Sequence, residues 1–389
     1  MKKLAIVTSH PIQYNAPLFK LLTEHGRLSV RVFYTWGQSS QGKKYDPHFG
    51  KDIDWDIPLL EGYDHVFVEN IAKDPGTHHF KGIVNPTLNR EIEGWKPDAV
   101  LVFGWSFTSH LRCMRHFYGK VPVLFRGDST LLGEQPGLKR LMRRIFLKWV
   151  YRHVDYALYT GSHNKEYYLR HGMREDQLVF APHAVDNDRF GEPDADHRAR
   201  AIEWRHRLGI ADDHVVILFA GKLEPRKNPF FLTELAHRIG NDKIRIVITG
   251  NGPLEASLKD AAGAGSRVLF LDFQNQAIMP VLYRIGDVFV LCSGSETWGL
   301  GANEAMASGC ALMLSDKTGG AVDLVKEGVN GIIFGLTDYD KCREFAETLV
   351  NHPQRLADMK KASRRLIGGF SYARIVGAIE TLLLKQDRQ

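Results

Sequence analysis

The chain has 389 residues, 44% hydrophobic and 25% charged, which excludes a disordered or fibrous protein and exceeds what one hydrophobic core usually fills, so two domains are expected. Its formal charge of +6 suits anionic small molecules or an acidic membrane face and does not by itself argue for nucleic acid. The four cysteines (Cys113, Cys292, Cys310, Cys342) are far apart, with no Cys-x-x-Cys pair and no histidine at metal-ligand spacing. A reduced, cytoplasmic setting without structural zinc is therefore the expectation.

The apolar run at the N-terminus is too short for a signal peptide and reads as a first strand over Leu4–Thr8. Further short apolar runs follow at Val30–Tyr34, Ala99–Phe103, Val121–Phe125 and Tyr156–Tyr159, several separated by segments with helical spacing. This is the rhythm of βαβ units, and near-continuous apolar strands predict a parallel sheet covered on both faces. After Pro182 the chain turns polar and charged, then the alternation restarts at Val215–Ala220, Arg245–Thr249, Val268–Leu271, Val288–Leu291, Ala311–Leu314 and Gly331–Phe334. The last segment, Tyr372–Lys385, reads as a helix with Ile375, Ile379, Leu382 and Leu383 on one face. The boundaries expected are 1–190 and 215–368 for two α/β domains, 191–214 for a linker, and 369–389 for a terminal helix packing on the first domain. No stretch reaches the roughly 20 apolar residues of a membrane span.

The segment from Ser295 to Gly309, SETWGLGANEAMASG, follows a strand and opens a helix. Gly299 and Gly301 let the backbone approach a ligand, and free amides at the helix start favour a diphosphate. Glu296 and Glu304, with Trp298, Gly299 and Leu300 between them, resemble the donor-binding signature of family-four retaining glycosyltransferases. Upstream, Gly221-Lys222-Leu223-Glu224-Pro225-Arg226-Lys227 resembles that family's strand-end loop with two basic residues five apart, although Lys222 stands where arginine is more usual. Gly250-Asn251-Gly252-Pro253, Pro182-His183-Ala184-Val185-Asp186, Gly319-Gly320 and Glu327-Gly328-Val329-Asn330-Gly331 complete the likeness across the C-terminal half.

The resemblance implies a GT-B fold, two Rossmann-like domains facing across a cleft, and retaining transfer of a sugar from a nucleoside diphosphate sugar to an acceptor hydroxyl, saccharide or lipid-linked. It implies catalysis through Glu296, Lys222 and Lys227, and donor binding through Glu304, Gly221, Asn251, Gly252, Trp298, Gly299, Leu300 and Gly301. No cofactor and no metal are expected, the lysines standing in for a cation at the departing diphosphate. An epimerase or phosphorylase of the same fold is the alternative, and a non-catalytic nucleic-acid-binding protein a third reading without a recognition motif.

The first half departs from the family pattern. After Val121–Phe125, where a histidine is common, the chain has Arg126-Gly127-Asp128-Ser129. Arg126 is a candidate on the acceptor side, and Asp128 a candidate catalytic residue for orienting acceptor or sugar, or else a loop carboxylate paired with Arg126. The opening loop offers His10, Gln13 and Tyr14 on the acceptor side, beyond the first strand's carboxyl end, where open α/β sheets bind ligands. From Gly137 to His153 the basic residues Lys139, Arg140, Arg143, Arg144, Lys148 and Arg152 occur with no acidic ones. That segment reads either as a helix resting on an anionic membrane or as a core helix with a solvated basic side. The carboxylates Asp52, Asp54 and Asp56 lie in an irregular segment and are read as structural.

Overall fold

The computed structural model describes residues 1–37, 44–46, 51–53, 56–191 and 195–385. They form two compact units, one of Met1–Gly42, Pro58–His183 and Tyr372–Gln389, the other of Lys43–Ile57 and Ala184–Ser371. In chain order the strands are β1 (Lys2–Thr8), β2 (Leu28–Tyr34), a short antiparallel pair β3 (Lys44–Asp46) and β4 (Lys51–Ile53), β5 (Asp64–Phe67), β6 (Ala99–Phe103), β7 (Val123–Arg126), β8 (Tyr156–Tyr159) and β9 (Leu178–Phe180). Then come β10 (Val215–Ala220), β11 (Ile244–Thr249), β12 (Val268–Leu271), β13 (Val288–Leu291), β14 (Ala311–Ser315) and β15 (Gly331–Phe334).

The first unit holds a parallel sheet in the order β5-β2-β1-β6-β7-β8-β9, the second one in the order β12-β11-β10-β13-β14-β15. The second order is the doubly wound 3-2-1-4-5-6 arrangement, and the first repeats it with one strand added. Central strands are buried on both faces, as their apolar runs require: Leu4 to Val7 and Val216 to Phe219 are wholly inaccessible. Each sheet reverses winding beside its first strand, between β1 and β6 and between β10 and β13. The crevice beyond the carboxyl ends at such a point is where this topology binds ligands.

Strand β7 starts after Pro122, which has no N–H to give a ladder, so the run expected from Val121 begins later. The short strands β5 and β9 were not expected, because Asp64–Phe67 and Leu178–Phe180 are brief segments at the two sheet edges. Residues 191–214, read as a linker, contain the helix Ala195–Arg207 of the second unit. Ala201 is its one buried residue, and the helix is fixed by Arg205, which donates to the carbonyls of His214 and Ile285 and pairs with Asp287 at 3.2 Å.

The final helix, Tyr372–Lys385, belongs to the first unit. Lys2 Nζ donates to Leu383 O, Tyr372 OH to Tyr14 O, and buried Glu380 takes Arg27 at 3.0 Å. The stretch Pro353–Leu384 has the length and composition of a membrane span. It is broken near Gly368 into two helices whose apolar residues Met359, Ile367, Ile375, Val376 and Ile379 are buried, as in core helices.

Candidate active site

In the second unit, the loops leaving β10 and β13 meet at the switch point. After β10 the chain makes a short 3-10 turn, Pro225–Lys227, ended by Asn228 in the left-handed region (φ 51°). Two hydrogen bonds clamp this turn to the loop beyond β13: the backbone N–H of Gly294 donates to Arg226 O, and the Cys292 thiol to the Asn228 carbonyl. The clamp brings Lys227 Nζ onto the Glu296 carboxylate, with both side chains mostly buried. Arg226 stands 3.9 Å from the other Glu296 oxygen and pairs with Glu224 at 3.2 Å. The result is a cluster of two cations and two carboxylates at the edge where a ligand would enter. Lys222 lies partly exposed in the same loop.

Glu296 is itself fixed by its backbone, whose N–H donates to Lys317 O and whose carbonyl accepts from Gly319 N. Helix Leu300–Ser308 then starts at Gly299, which has φ 97°. A side chain there would be strained, and its Cβ would lie 2.8 Å from Leu291 Cδ1. The first amides of the helix, at Leu300 and Gly301, point toward its N-terminal end, where the backbone favours an anion. Glu304, one turn in, is 3% exposed and accepts from Tyr283 OH at 2.7 Å.

Several residues expected to bind donor are packed into the unit. Trp298 is buried, its indole donating to Asn303 Oδ1 and its carbonyl accepting from Gly320 N. Asn251 donates to Glu255 and Asp272 and accepts from Phe273 N, so its amide ties three segments together. The glycines beside it serve close loop packing, because a Cβ at Gly250 would collide with Gly221 O and one at Gly252 would lie 2.5 Å from Leu223 O. The glycines of this motif answer first to backbone crowding.

In the first unit, the loop after β1 places His10 with its Nδ1 3.0 Å from Ser9 Oγ and its ring edge-on to Trp36. Gln13 and Tyr14 are partly exposed in the same loop. Arg126, expected on the acceptor side, is buried and braces the chain instead: its guanidinium donates to Ala181 O at 2.7 Å and Pro182 O at 2.8 Å. Burial pulls its pKa down to about 10, opposed by Tyr168, Asp128 and Tyr372 nearby. Asp128 remains half exposed, 3.8 Å from His183 Nε2. Burial lowers the His183 pKa, and hydrogen bonding with Asp128 opposes that shift. The facing of Asp128 and His183 was missed because the two are far apart in sequence, and only the β7-β8-β9 adjacency joins them.

Asp56, one of the three carboxylates read as structural, accepts from Ala277 N at 3.0 Å, while Asp54 lies outside the described residues. Among the described residues one group has the composition of a metal site, Asp74 with His78 and His79, on an exposed loop of the first unit. There the carboxylate meets both imidazoles, at 3.1 and 3.2 Å, and the His78 contact lowers the Asp74 pKa.

Residues 201–366, which lie in the second unit, match the family of glycosyl transferases group 1. The whole chain has the GT-B fold of known glycosyltransferases. It superposes on HepE of Anabaena, solved with UDP, with a TM-score of 0.74 at 17% identity, covering 99% of this chain and 100% of that one. Sucrose-phosphate synthase of Thermosynechococcus elongatus gives 0.73 at 18% identity over all of both chains. At such identity these likenesses speak for the fold. In sequence, an uncharacterized glycosyltransferase of Methanocaldococcus jannaschii is 35% identical over 34% of each chain. The GDP-mannose-dependent alpha-(1-6)-phosphatidylinositol monomannoside mannosyltransferase of Mycolicibacterium smegmatis is 32% identical over 48% of this chain and 50% of its own. The matched region thus spans between a third and a half of these curated relatives.

Proposed function

We propose that this chain is a retaining glycosyltransferase that moves a sugar from a nucleoside diphosphate sugar to an acceptor hydroxyl. The observation that carries this reading is the contact between Lys227 and Glu296, which joins the basic loop and the glycine-led helix start at the switch point of the second sheet. Lys222 and Lys227 neutralise the diphosphate as its bond to the anomeric carbon breaks, and the amides opening helix Leu300–Ser308 share its charge. The acceptor oxygen bonds to that carbon on the same face while its proton passes to a diphosphate oxygen, so that the products are the glycoside and the protonated nucleoside diphosphate. Glu296 holds the sugar hydroxyls and Glu304 the ribose. No metal is needed where lysines supply the positive charge, and catalysis rests on positioning and electrostatics.

A nucleotide-linked donor is in keeping with the GDP-mannose dependence of one relative and the UDP bound to HepE. On this reading the acceptor is a saccharide or a lipid-linked hydroxyl. The test is a thermal-shift screen against nucleoside diphosphates and their sugars, followed by transfer assays with the donor so found, with and without chelator. A chain stabilised by none of them does not bind such a donor. Conversion of the donor with no acceptor present identifies an epimerase.

A further inference from the structure

Fifteen large hydrophobic side chains are exposed among the described residues, and five of them lie on one helix, Leu138–Tyr151. Leu138 is 71% exposed, Leu141 55%, Met142 63%, Ile145 63% and Phe146 40%. Scattered singly, exposed apolar residues need no explanation, but a contiguous set does. At 100° per residue these five fall in one stripe with the partly buried Trp149. The stripe is extended by Trp105, whose ring lies 5.4 Å from Phe146, which is in turn 5.7 Å from Trp149. Lys139 and Arg143 border it on one side and Arg144 and Lys148 on the other.

The core accounts for a different part of this helix. Leu147, Val150 and Tyr151, in its second half, are the buried residues. The exposed stripe occupies the first half, which begins after the loop from the carboxyl end of β7. It therefore lies at the sheet edge that also carries His10, Trp105 and Asp128. Glu134 lies 4.0 Å from Arg144, and Arg143 donates to Tyr167 OH. No acidic residue lies on the helix itself.

We propose that this helix docks the protein on a lipid bilayer with anionic head groups. The five apolar side chains enter the boundary between head groups and acyl chains, Trp105 and Trp149 sit at the interface, and the flanking cations meet lipid phosphates. Charge complementarity selects this occupant: a basic border around an apolar stripe matches an acidic bilayer surface, where both components contribute. One consequence rests on the transfer reading, namely that the acceptor is a molecule held at that surface, next to the loops around His10 and Asp128.

Docking is tested without any transfer assay, by co-sedimentation of the full chain with vesicles at near-physiological salt. One set is phosphatidylcholine alone, and in the other a third of the lipid is phosphatidylglycerol. The chain should sediment with the anionic vesicles and hardly with the neutral ones. Leu141→Ser with Ile145→Ser should lower partitioning about tenfold or more, and so should Lys139→Gln with Arg143→Gln. The unfolding midpoint of the serine pair should stay unchanged, since Leu141 and Ile145 are on the surface. The proposal is overturned if the unaltered chain ignores anionic vesicles or if the serine pair binds them equally. It is also overturned if sedimentation equilibrium finds a dimer that the serine pair dissolves, because the stripe would then be an interface between copies. A failure here leaves the nucleotide-binding screen untouched, so the two readings fall separately.

Discussion

Lys227 and Glu296, 69 residues apart in the chain, close on each other where the loops after β10 and β13 meet. Each side chain is mostly buried, so neither charge is well hydrated without its partner. Lys227→Met should therefore destabilise the second unit by about 1–3 kcal/mol, the range for stranding one member of a partly screened pair. Adding Glu296→Gln should recover part of the loss. Urea unfolding of the two single variants and the double variant measures this coupling. Additive losses would mean that the contact carries no energy of its own.

The two glutamates of the motif should separate in function. Glu296 sits at the mouth of the loop with Lys227, whereas Glu304 is buried one turn into the helix against Tyr283. Glu296→Ala should lose turnover more than donor affinity, because on the proposed reading it holds the reacting sugar. Glu304→Ala should lose donor affinity, holding the ribose. Calorimetry with the nucleoside diphosphate found in the screen decides the matter. Unchanged affinity in Glu304→Ala would remove its ribose role.

The doubly wound character of both halves was legible in the sequence, because strands buried on two faces must be near-continuous apolar runs, as in Val215–Ala220 and Ala99–Phe103. The candidate donor site was legible for a related reason: its segments are contiguous, and parallel topology brings the ends of β10 and β13 together. The rest depends on contacts that no local pattern reports. Asn251, between two glycines, reads in sequence as a donor-binding residue, yet its amide is taken up by Glu255, Asp272 and Phe273. Arg126, in a polar loop after a strand, reads as an acceptor-side residue, whereas its guanidinium is taken up by the carbonyls of Ala181 and Pro182. The basic segment Gly137–His153 left two readings open because periodicity shows that a helix has an apolar face and not whether anything covers it. Here the second half is covered and the first is not.

Gly299 provides a test of local geometry. With φ at 97° and Leu291 Cδ1 and Thr318 Cγ2 crowding its missing Cβ at 2.8 and 3.1 Å, Gly299→Ala combines backbone strain with a clash. A cost of roughly 1–3 kcal/mol is expected. Because Gly299 opens the helix beside Glu296, the same change should weaken nucleoside diphosphate binding through displaced amides. Gly263→Ala, at another positive φ but with open space around it, is the control: it should be destabilised less and should leave nucleotide binding unchanged. Equal effects at both positions would show that crowding at Gly299 contributes nothing.

His110 sets an expectation for stability against pH. Its ring is wholly buried, with Nδ1 3.0 Å from the carbonyl oxygens of Phe103 and Gly104 and Nε2 2.9 Å from Thr35 Oγ1. Burial is the dominant influence and pulls its pKa down to about 4, against the weaker upward effect of the two carbonyls. In the unfolded chain the same ring titrates near 6.5. Between those values the unfolded state binds more protons than the folded one, so stability falls as pH drops through this window and levels off below it. His171 and His183, lowered for the same reason, act in the same direction. The expected loss from His110 alone, complete by about pH 4, is on the order of 3 kcal/mol. The urea midpoint should therefore be lower at about pH 5 than at about pH 7, before carboxylates with lowered pKa values begin to protonate. His110→Gln, which keeps a donor and an acceptor without a titrating ring, should flatten that dependence even if it lowers stability at neutral pH. A midpoint that does not change between the two pH values in the unaltered chain would show that the ring is protonated in the fold.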